Sequence, residues 1–261
     1  MLFRSKLNGG LGTSMGCQGA KSAIPVLEHD TFLDLIAKQV QYLRKTAKTD
    51  IPLLLMNSFN TAKDTKNVLK ESLKYIQFDQ HLFPRLLANH YTAFNSSNPD
   101  TQWYPPGHGN VIAALQSSGQ LKTLLTNQID YLFISNADNL GATLDTRILG
   151  YMIENKHDYI METTQKLPID IKGGTLIRYE NQLRLLERPQ VPDENLKDFE
   201  DISIFKIFNT NNIWINLNVL KEKIKKGPLQ LPIIKNPKVI EDQPILQLED
   251  RKSTRLNSSH L

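Results

Sequence analysis

At 261 residues, with 40% hydrophobic and 22% charged side chains, the chain has room for one large α/β domain or two modest ones and the composition of an ordinary globular protein. No apolar run approaches the roughly 18 residues of a membrane span, no signal peptide is visible, and the single cysteine cannot form an internal disulfide, which favours a reducing, cytoplasmic setting. The net charge of +4 is no nucleic-acid footprint, because Arg4, Arg251, Lys252 and Arg255 against Asp250 supply three of those charges and leave a near-neutral body.

Those five residues lie in two end segments, 1–5 and 250–261, that lack apolar periodicity and read as translated sequencing-adapter DNA. Residues 6–249 are therefore taken as the natural region. Residues 6–10 read as the stub of a strand feeding a glycine-rich loop. From Thr31 the apolar positions Phe32, Ile36, Val40, Leu43 and Ala47 keep helical spacing, with Asp30 or Thr31 as cap. Residues 51–57 form a continuous apolar run of strand length, 66–76 read as a helix, and 109–125 as another. A buried strand is expected at 131–135 and another strand at 159–164, with a helix over 145–154 between them. Buried strands separated by helices imply βαβ units and a mainly parallel sheet. Beyond Gly173 the texture becomes antiparallel: 175–187 reads as a hairpin turning at Glu180-Asn181, and 205–216 as strand, turn and strand.

The loop itself, KLNGGLGTSMGCQGAKS (6–22), holds five glycines and two lysines. A glycine-rich turn between strand and helix exposes successive backbone N–H groups, which make a concave site for an anion such as phosphate. Lys21 closes it with a positive charge. Two familiar loops are excluded. A Walker A loop has glycine where this chain has Met15 and Ala20, and a dinucleotide fingerprint needs its third glycine one residue before Gly16. Cys17 has no histidine near it in sequence and reads as a small packing residue.

The loop resembles the signature of the eukaryotic-type UTP–glucose-1-phosphate uridylyltransferase (UDP-glucose pyrophosphorylase) family. Ser14-Met15 stands where the related N-acetylhexosamine pyrophosphorylases are expected to carry Arg-Leu, which favours the glucose branch. FDQHLFPRL (78–86), WYPPGHGN (103–110), SNADNLGATLD (135–145), DIKGGTLI (170–177), LLERPQVP (185–192) and FKIFNTNNIWINL (205–217) agree in order. The resemblance implies a Rossmann-like, GT-A-like α/β nucleotidyltransferase domain. Its nucleotide-binding part would span 6–165 and its antiparallel sugar-binding part 166–249. Family members continue into a further lysine-bearing catalytic segment and a C-terminal β-helix domain, neither of which is in this sequence.

The implied reaction joins UTP and glucose 1-phosphate into UDP-glucose and pyrophosphate. Two polyanions must be brought together in line, and no covalent nucleophile is needed. By the resemblance, Leu7, Asn8, Gly9 and Gly10 hold the nucleotide, and Gln80 reads uracil through an amide that both donates and accepts. Lys21 binds phosphate as the catalytic cation, and Gly107 lies against the nucleotide. His108 faces the sugar phosphate, to which Gly9, Gly10, Asn136, Ala137 and Asp138 also contribute. Asp138, just past a buried strand, suits Mg²⁺, which keeps several waters and takes few protein ligands. Glu187, Asn209 and Asn211 match positions expected to bind glucose hydroxyls, although NTNN alone also reads as a turn. Two alternatives stand beside this reading: a catalytically impaired fragment that binds UTP or nucleotide sugar, and a pyrophosphorylase for another sugar phosphate. No nucleic-acid or membrane partner is expected, and the oligomeric state is left open.

Overall fold

The computed structural model describes residues 2–11, 19–69, 73–227, 229 and 233–250. Its principal strands are β1 (Leu2–Asn8), β2 (Leu53–Asn57), β3 (Ile76–Asp79), β4 (Tyr131–Asn136), β5 (Tyr159–Gln165), β6 (Thr175–Tyr179), β7 (Gln182–Leu186), β8 (Ile207–Asn216), β9 (Ile233–Ile240) and β10 (Gln243–Asp250). Its principal helices are α1 (Phe32–Ala47), α2 (Ala62–Leu69), α3 (Val111–Ser117), α4 (Gln120–Thr126), α5 (Thr146–Glu154) and α6 (Leu217–Lys225). The chain divides into two compact units, each discontinuous in sequence: 1–81 with 111–160 and 212–227, and 82–110 with 161–211 and 228–261.

The main sheet has the order β5-β8-β4-β1-β2-β3; β4, β1, β2 and β3, all of the first unit, run parallel, and β8 is antiparallel to β4. This is the mainly parallel α/β sheet expected from the alternating pattern. All five residues of β2 are buried, so both of its faces are covered, as parallel strands require. Leu33, Ile36, Ala37 and Val40 of α1 pack with Leu53 and Leu55, and a second cluster joins Phe133, Met152 and Trp214. The Phe133 and Trp214 rings sit 4.5 Å apart across neighbouring strands. Of the two cap candidates Asp30 and Thr31, Thr31 caps α1, in a reciprocal box with Asp34 that the sequence reading did not anticipate.

Four expectations need correction, and one hairpin was missed. The strand expected over 6–10 is β1, Leu2–Asn8, its first half formed by residues 2–5, which pair with both β2 and β4. The helix expected over 66–76 begins earlier, at Ala62, and Ile76 already opens β3 because it continues the parallel ladder from β2. Residues 70–72 of that expectation lie outside the described residues. The helix expected over 109–125 is two helices, α3 and α4, separated at Gly119, whose φ of +74° no continuous helix accommodates. The strand–turn–strand expected over 205–216 is the single strand β8; Asn211, at φ +61°, deflects it without reversing it. The hairpin β9–β10 was not anticipated, although it turns at Glu241-Asp242, both in the left-handed region like Glu180-Asn181 of β6–β7.

The second unit holds the β6–β7 hairpin and a three-stranded antiparallel sheet in which β10 lies between β9 and a short strand at Leu86–Leu87. Tyr104 is buried there, its hydroxyl donating to the Leu248 carbonyl at 2.9 Å and accepting from the Leu248 N–H at 2.6 Å.

Candidate functional site

Four parallel strands of the first unit end level with one another. Asn8, Asn57 and Asp79 are in register across β1, β2 and β3, and Leu7 pairs with Asn136 at the end of β4. The residues that follow, Gly9-Gly10, Ser58, Gln80 and Ala137-Asp138, therefore gather beyond the C-terminal edge, where open α/β sheets bind ligands. Leu7, Asn8, Gly9, Gly10, Lys21, Gln80, Asn136, Ala137 and Asp138 all belong to this unit. Residues 12–18, with Cys17 and the diagnostic Ser14-Met15 pair, lie outside the described residues, as does the suspected adapter tail over 251–261.

The bare backbone has a partly different cause from the one expected. A Cβ on Gly9 would sit 2.5 Å from Gln80 Oε1, and one on Gly19 would sit 2.8 Å from Asp64 Oδ2. Two of the loop's glycines thus admit the protein's own side chains. At Gly10 the Cβ position is open for 4 Å. The loop closes on itself through the Lys21 N–H, which donates to the Gly10 carbonyl at 3.0 Å, and through a bridge between Leu11 and Ala20.

Closure brings the Lys21 ammonium to 2.5 Å from Asp138 Oδ2, both side chains about one-third exposed. A cation and an anion thereby stand side by side at the strand ends, open to solvent. The Ala137 N–H donates to the Leu7 carbonyl at 3.0 Å and extends the β1–β4 ladder up to Asp138. Beneath it, the wholly buried Lys6 donates to the carbonyls of Asn136 and Asn139, both at 3.0 Å, and so holds the turn that carries Asp138. Burial, reinforced by the Arg4 charge, pushes the Lys6 pKa well below its usual value, while Asp138 acts to raise it.

Asn8 is placed otherwise than a nucleotide contact would suggest. Its side chain is 3% exposed and its amide nitrogen donates to Asn57 Oδ1 at 2.8 Å and Thr65 Oγ1 at 2.7 Å. Asn57 in turn donates to Gln77 at 3.1 Å. The carboxamide locks the end of β1 to β2 and α2. Sequence reading missed Lys6, Ser58 and Asp64. None of the three carried a signal in the sequence, since Lys6 stands among Arg4, Ser5 and Asn8 in the strand LFRSKLN.

The remaining site residues lie in the second unit. Gly107 has φ +105°, a conformation closed to ordinary side chains, and leads into the single helical turn His108–Asn110. Around Gly174 three buried polar residues converge. A Cβ there would sit 2.8 Å from Glu187 Oε1, the Asn209 N–H donates to the Gly174 carbonyl at 2.9 Å, and the Asn211 N–H donates to Asn209 Oδ1 at 2.9 Å. Glu187, Asn209 and Asn211 are each under 10% exposed. Beside them, a Cβ on Gly173 would fall inside the Phe208 ring contact, at 2.1 Å. The NTNN run is therefore a built polar strand rather than a loop.

For a metal, no group of three or more His, Cys, Asp or Glu residues converges among the described residues. A lone carboxylate at a phosphate site is nonetheless how Mg²⁺ is commonly held, since it retains water and takes the rest of its shell from substrate. Asp138, partly exposed beside an ammonium that could turn to phosphate, fits that mode.

A family model described as UTP–glucose-1-phosphate uridylyltransferase matches residues 3–258. The chain belongs to this family. The uridylyltransferase of Saccharomyces cerevisiae is 48% identical over 256 residues, covering 94% of this chain and 51% of its own length. That of Pyrus pyrifolia is 47% identical over 250 residues, covering 94% and 53%. Among solved structures, a Trypanosoma brucei UDP-glucose phosphorylase superposes with a TM-score of 0.91 at 40% identity, covering 95% of this chain and 57% of that one. A Leishmania major UDP-glucose pyrophosphorylase variant in complex with UDP-glucose gives 0.89 at 37%, covering 96% and 58%. The chain spans about half the length of the relatives it matches. The uridylyltransferase fold is the α/β architecture expected from the resemblance, and no helix among the described residues is long and apolar enough to cross a membrane.

Proposed function

We propose that this chain carries the UTP-binding and glucose-1-phosphate-binding residues of a uridylyltransferase that forms UDP-glucose and pyrophosphate in the cytoplasm. The observation that carries the reading is the Lys21–Asp138 pair, set beside Gly9-Gly10 at the shared end of four parallel strands. An oxygen of glucose 1-phosphate bonds to the α-phosphorus of UTP, the bond from that phosphorus to the bridging oxygen breaks, and the electron pair leaves with pyrophosphate. That oxygen is already ionised at neutral pH, so no general base is required, and His108 is read as a phosphate contact.

In the nucleotide part, 6–165, the backbone of 7–10 cradles the nucleotide and Gln80 reads the uracil edge. Lys21 leaves Asp138 to offset phosphate charge where it accumulates at the reacting phosphorus, and Asn136 and Ala137 line the same edge. Asp138 is the residue that would hold Mg²⁺. When bound, that ion neutralises phosphate oxygens and favours the in-line geometry. In the sugar part, 166–249, Glu187, Asn209 and Asn211 offer one carboxylate and two amides to the hexose hydroxyls. Gly107 and His108 complete the proposed nucleotide and phosphate contacts.

The test is UTP binding by titration calorimetry with and without magnesium. Asp138→Ala is expected to abolish the magnesium-dependent part of the affinity and to leave the unfolding curve near parental. In the full-length enzyme, Lys21→Ala should lower kcat by about 10²–10³, the loss typical of one preorganised charge-stabilising donor. Magnesium-dependent binding that survives Asp138→Ala would refute the assignment.

A further inference from the structure

The glycine loop is held from outside at both ends by one strand–turn–helix segment that no substrate contact requires. Ser58 Oγ donates to the Gly9 carbonyl at 2.9 Å, on the loop's entry side. Asp64 Oδ2 accepts from the Ala20 N–H at 2.8 Å, on its exit side, and lies where a Cβ on Gly19 would come within 2.8 Å of it, so a larger residue there would displace the carboxylate. Ser58 and Asp64 are themselves fixed to each other. The Ser58 N–H donates to Thr61 Oγ1 at 2.9 Å, and the Ala62 N–H donates to the Ser58 carbonyl at 3.1 Å at the start of α2. Two turns of helix then tie back through Thr65 to Asn8 and Asn57.

We infer that Asp64 and Ser58 are positioning residues that clamp the two ends of the nucleotide loop and thereby aim the Lys21 ammonium. This rests on the nucleotide reading proposed above. Ala20 immediately precedes Lys21, so the Asp64 contact sets the backbone from which the ammonium extends towards Asp138. A carboxylate is suited to the task because a hydrogen bond to a charged acceptor is about twice as strong as a neutral one. Its cost is a negative charge near a triphosphate, acceptable only where backbone order outweighs repulsion. Asp64 makes no ion pair among the described residues, so its carboxylate is directed at the loop backbone.

The 261-residue chain is tested as Asp64→Ala, Asp64→Asn and Ser58→Ala. The readouts are amide exchange at Ala20 by NMR without nucleotide, UTP–magnesium affinity by calorimetry, and thermal unfolding. Asp64→Ala is expected to speed Ala20 exchange and weaken UTP binding, each by about tenfold, the usual scale for one lost hydrogen bond to a charged group. Asp64→Asn, whose amide oxygen still accepts, should keep both within about threefold of the parent. Ser58→Ala should weaken UTP by roughly threefold through the other end of the loop. Parental UTP affinity in Asp64→Ala overturns the inference, and so does an equal change in Asp64→Asn, which would mean that charge alone matters. Should the parent fail to bind UTP while Ala20 exchange responds to Asp64 as stated, the clamp stands and the nucleotide reading falls.

Discussion

At the scale of single residues, the loop's glycines divide by what approaches them, and that division predicts different mutants. Gly9→Ala puts a methyl group 2.5 Å from Gln80 Oε1, the far end of a flexible side chain. The amide can swing aside, so stability should change by less than about 1 kcal/mol. Gln80 then leaves the position from which it would read uracil, and UTP affinity in calorimetry should fall roughly tenfold, the scale of one good hydrogen bond lost to misplacement. Asp145 gives a second test, in pH. The Arg147 side chain, then its backbone N–H, hold the Asp145 carboxyl down at about 2 from an ordinary 3.8. Since the folded-state value is the lower one, the helix-capping contribution is complete above pH 4 and is lost as pH falls from about 4 towards 2. A carboxyl-carbon NMR titration should show that low midpoint, and Arg147→Ala should return it towards the usual range.

Elements were legible in proportion to how local their causes are. The α1 helix could be read, and its cap narrowed to Asp30 or Thr31, because a 3.6-residue stripe starting beside a capping residue carries the signal. The β6–β7 turn could be read because Glu180-Asn181 sits between two alternating runs. The break between α3 and α4 was missed because the apolar stripe runs through Ser118 and Gly119 unchanged, and only backbone geometry exposes the left-handed glycine. Site residues followed the same rule. Lys21 and Asp138 were legible from motif and strand end, whereas Asp64 was not, since its partner is a backbone N–H 44 residues away in sequence. Composition misjudged β1 as well, where Arg4 is fully buried in the middle of the sheet. Its Nη2 reaches Gln39 and the Ala142 carbonyl, but Nε and Nη1 have no partner among the described residues, and burial lowers its pKa to about 10. Arg4→Leu should therefore stabilise the fold, by about 1–3 kcal/mol in urea unfolding, as apolar replacement of buried charge often does. A lower urea midpoint would show that the two retained hydrogen bonds outweigh the desolvation.

For the whole molecule, the consequential feature is that the candidate nucleotide residues 7–10, 21, 80 and 136–138 belong to one compact unit, whereas Gly107, His108, Glu187, Asn209 and Asn211 belong to another, each unit assembled from separated stretches of chain. The parallel sheet presents the nucleotide residues and the antiparallel unit presents Glu187, Asn209 and Asn211. Hydrogen exchange with single ligands should resolve this division. UTP is expected to protect 7–10, 20–21 and 136–138, and glucose 1-phosphate to protect 173–174, 187 and 209–211. Protection by glucose 1-phosphate confined to the first unit would assign the hexose elsewhere than the Gly174 cluster.

The amide network below the loop also bears on how the protein ages. Asn8 precedes Gly9, a dipeptide in which the glycine nitrogen readily attacks the asparagine carboxamide carbon, expelling ammonia through a cyclic imide. Here the carboxamide is pinned by Asn57 and Thr65 and cannot rotate into that attack. Native chains should therefore resist deamidation at this position while unfolded ones succumb. The resulting aspartate would bring a buried negative charge against two acceptors, and a chain damaged in that way would not readily regain its fold.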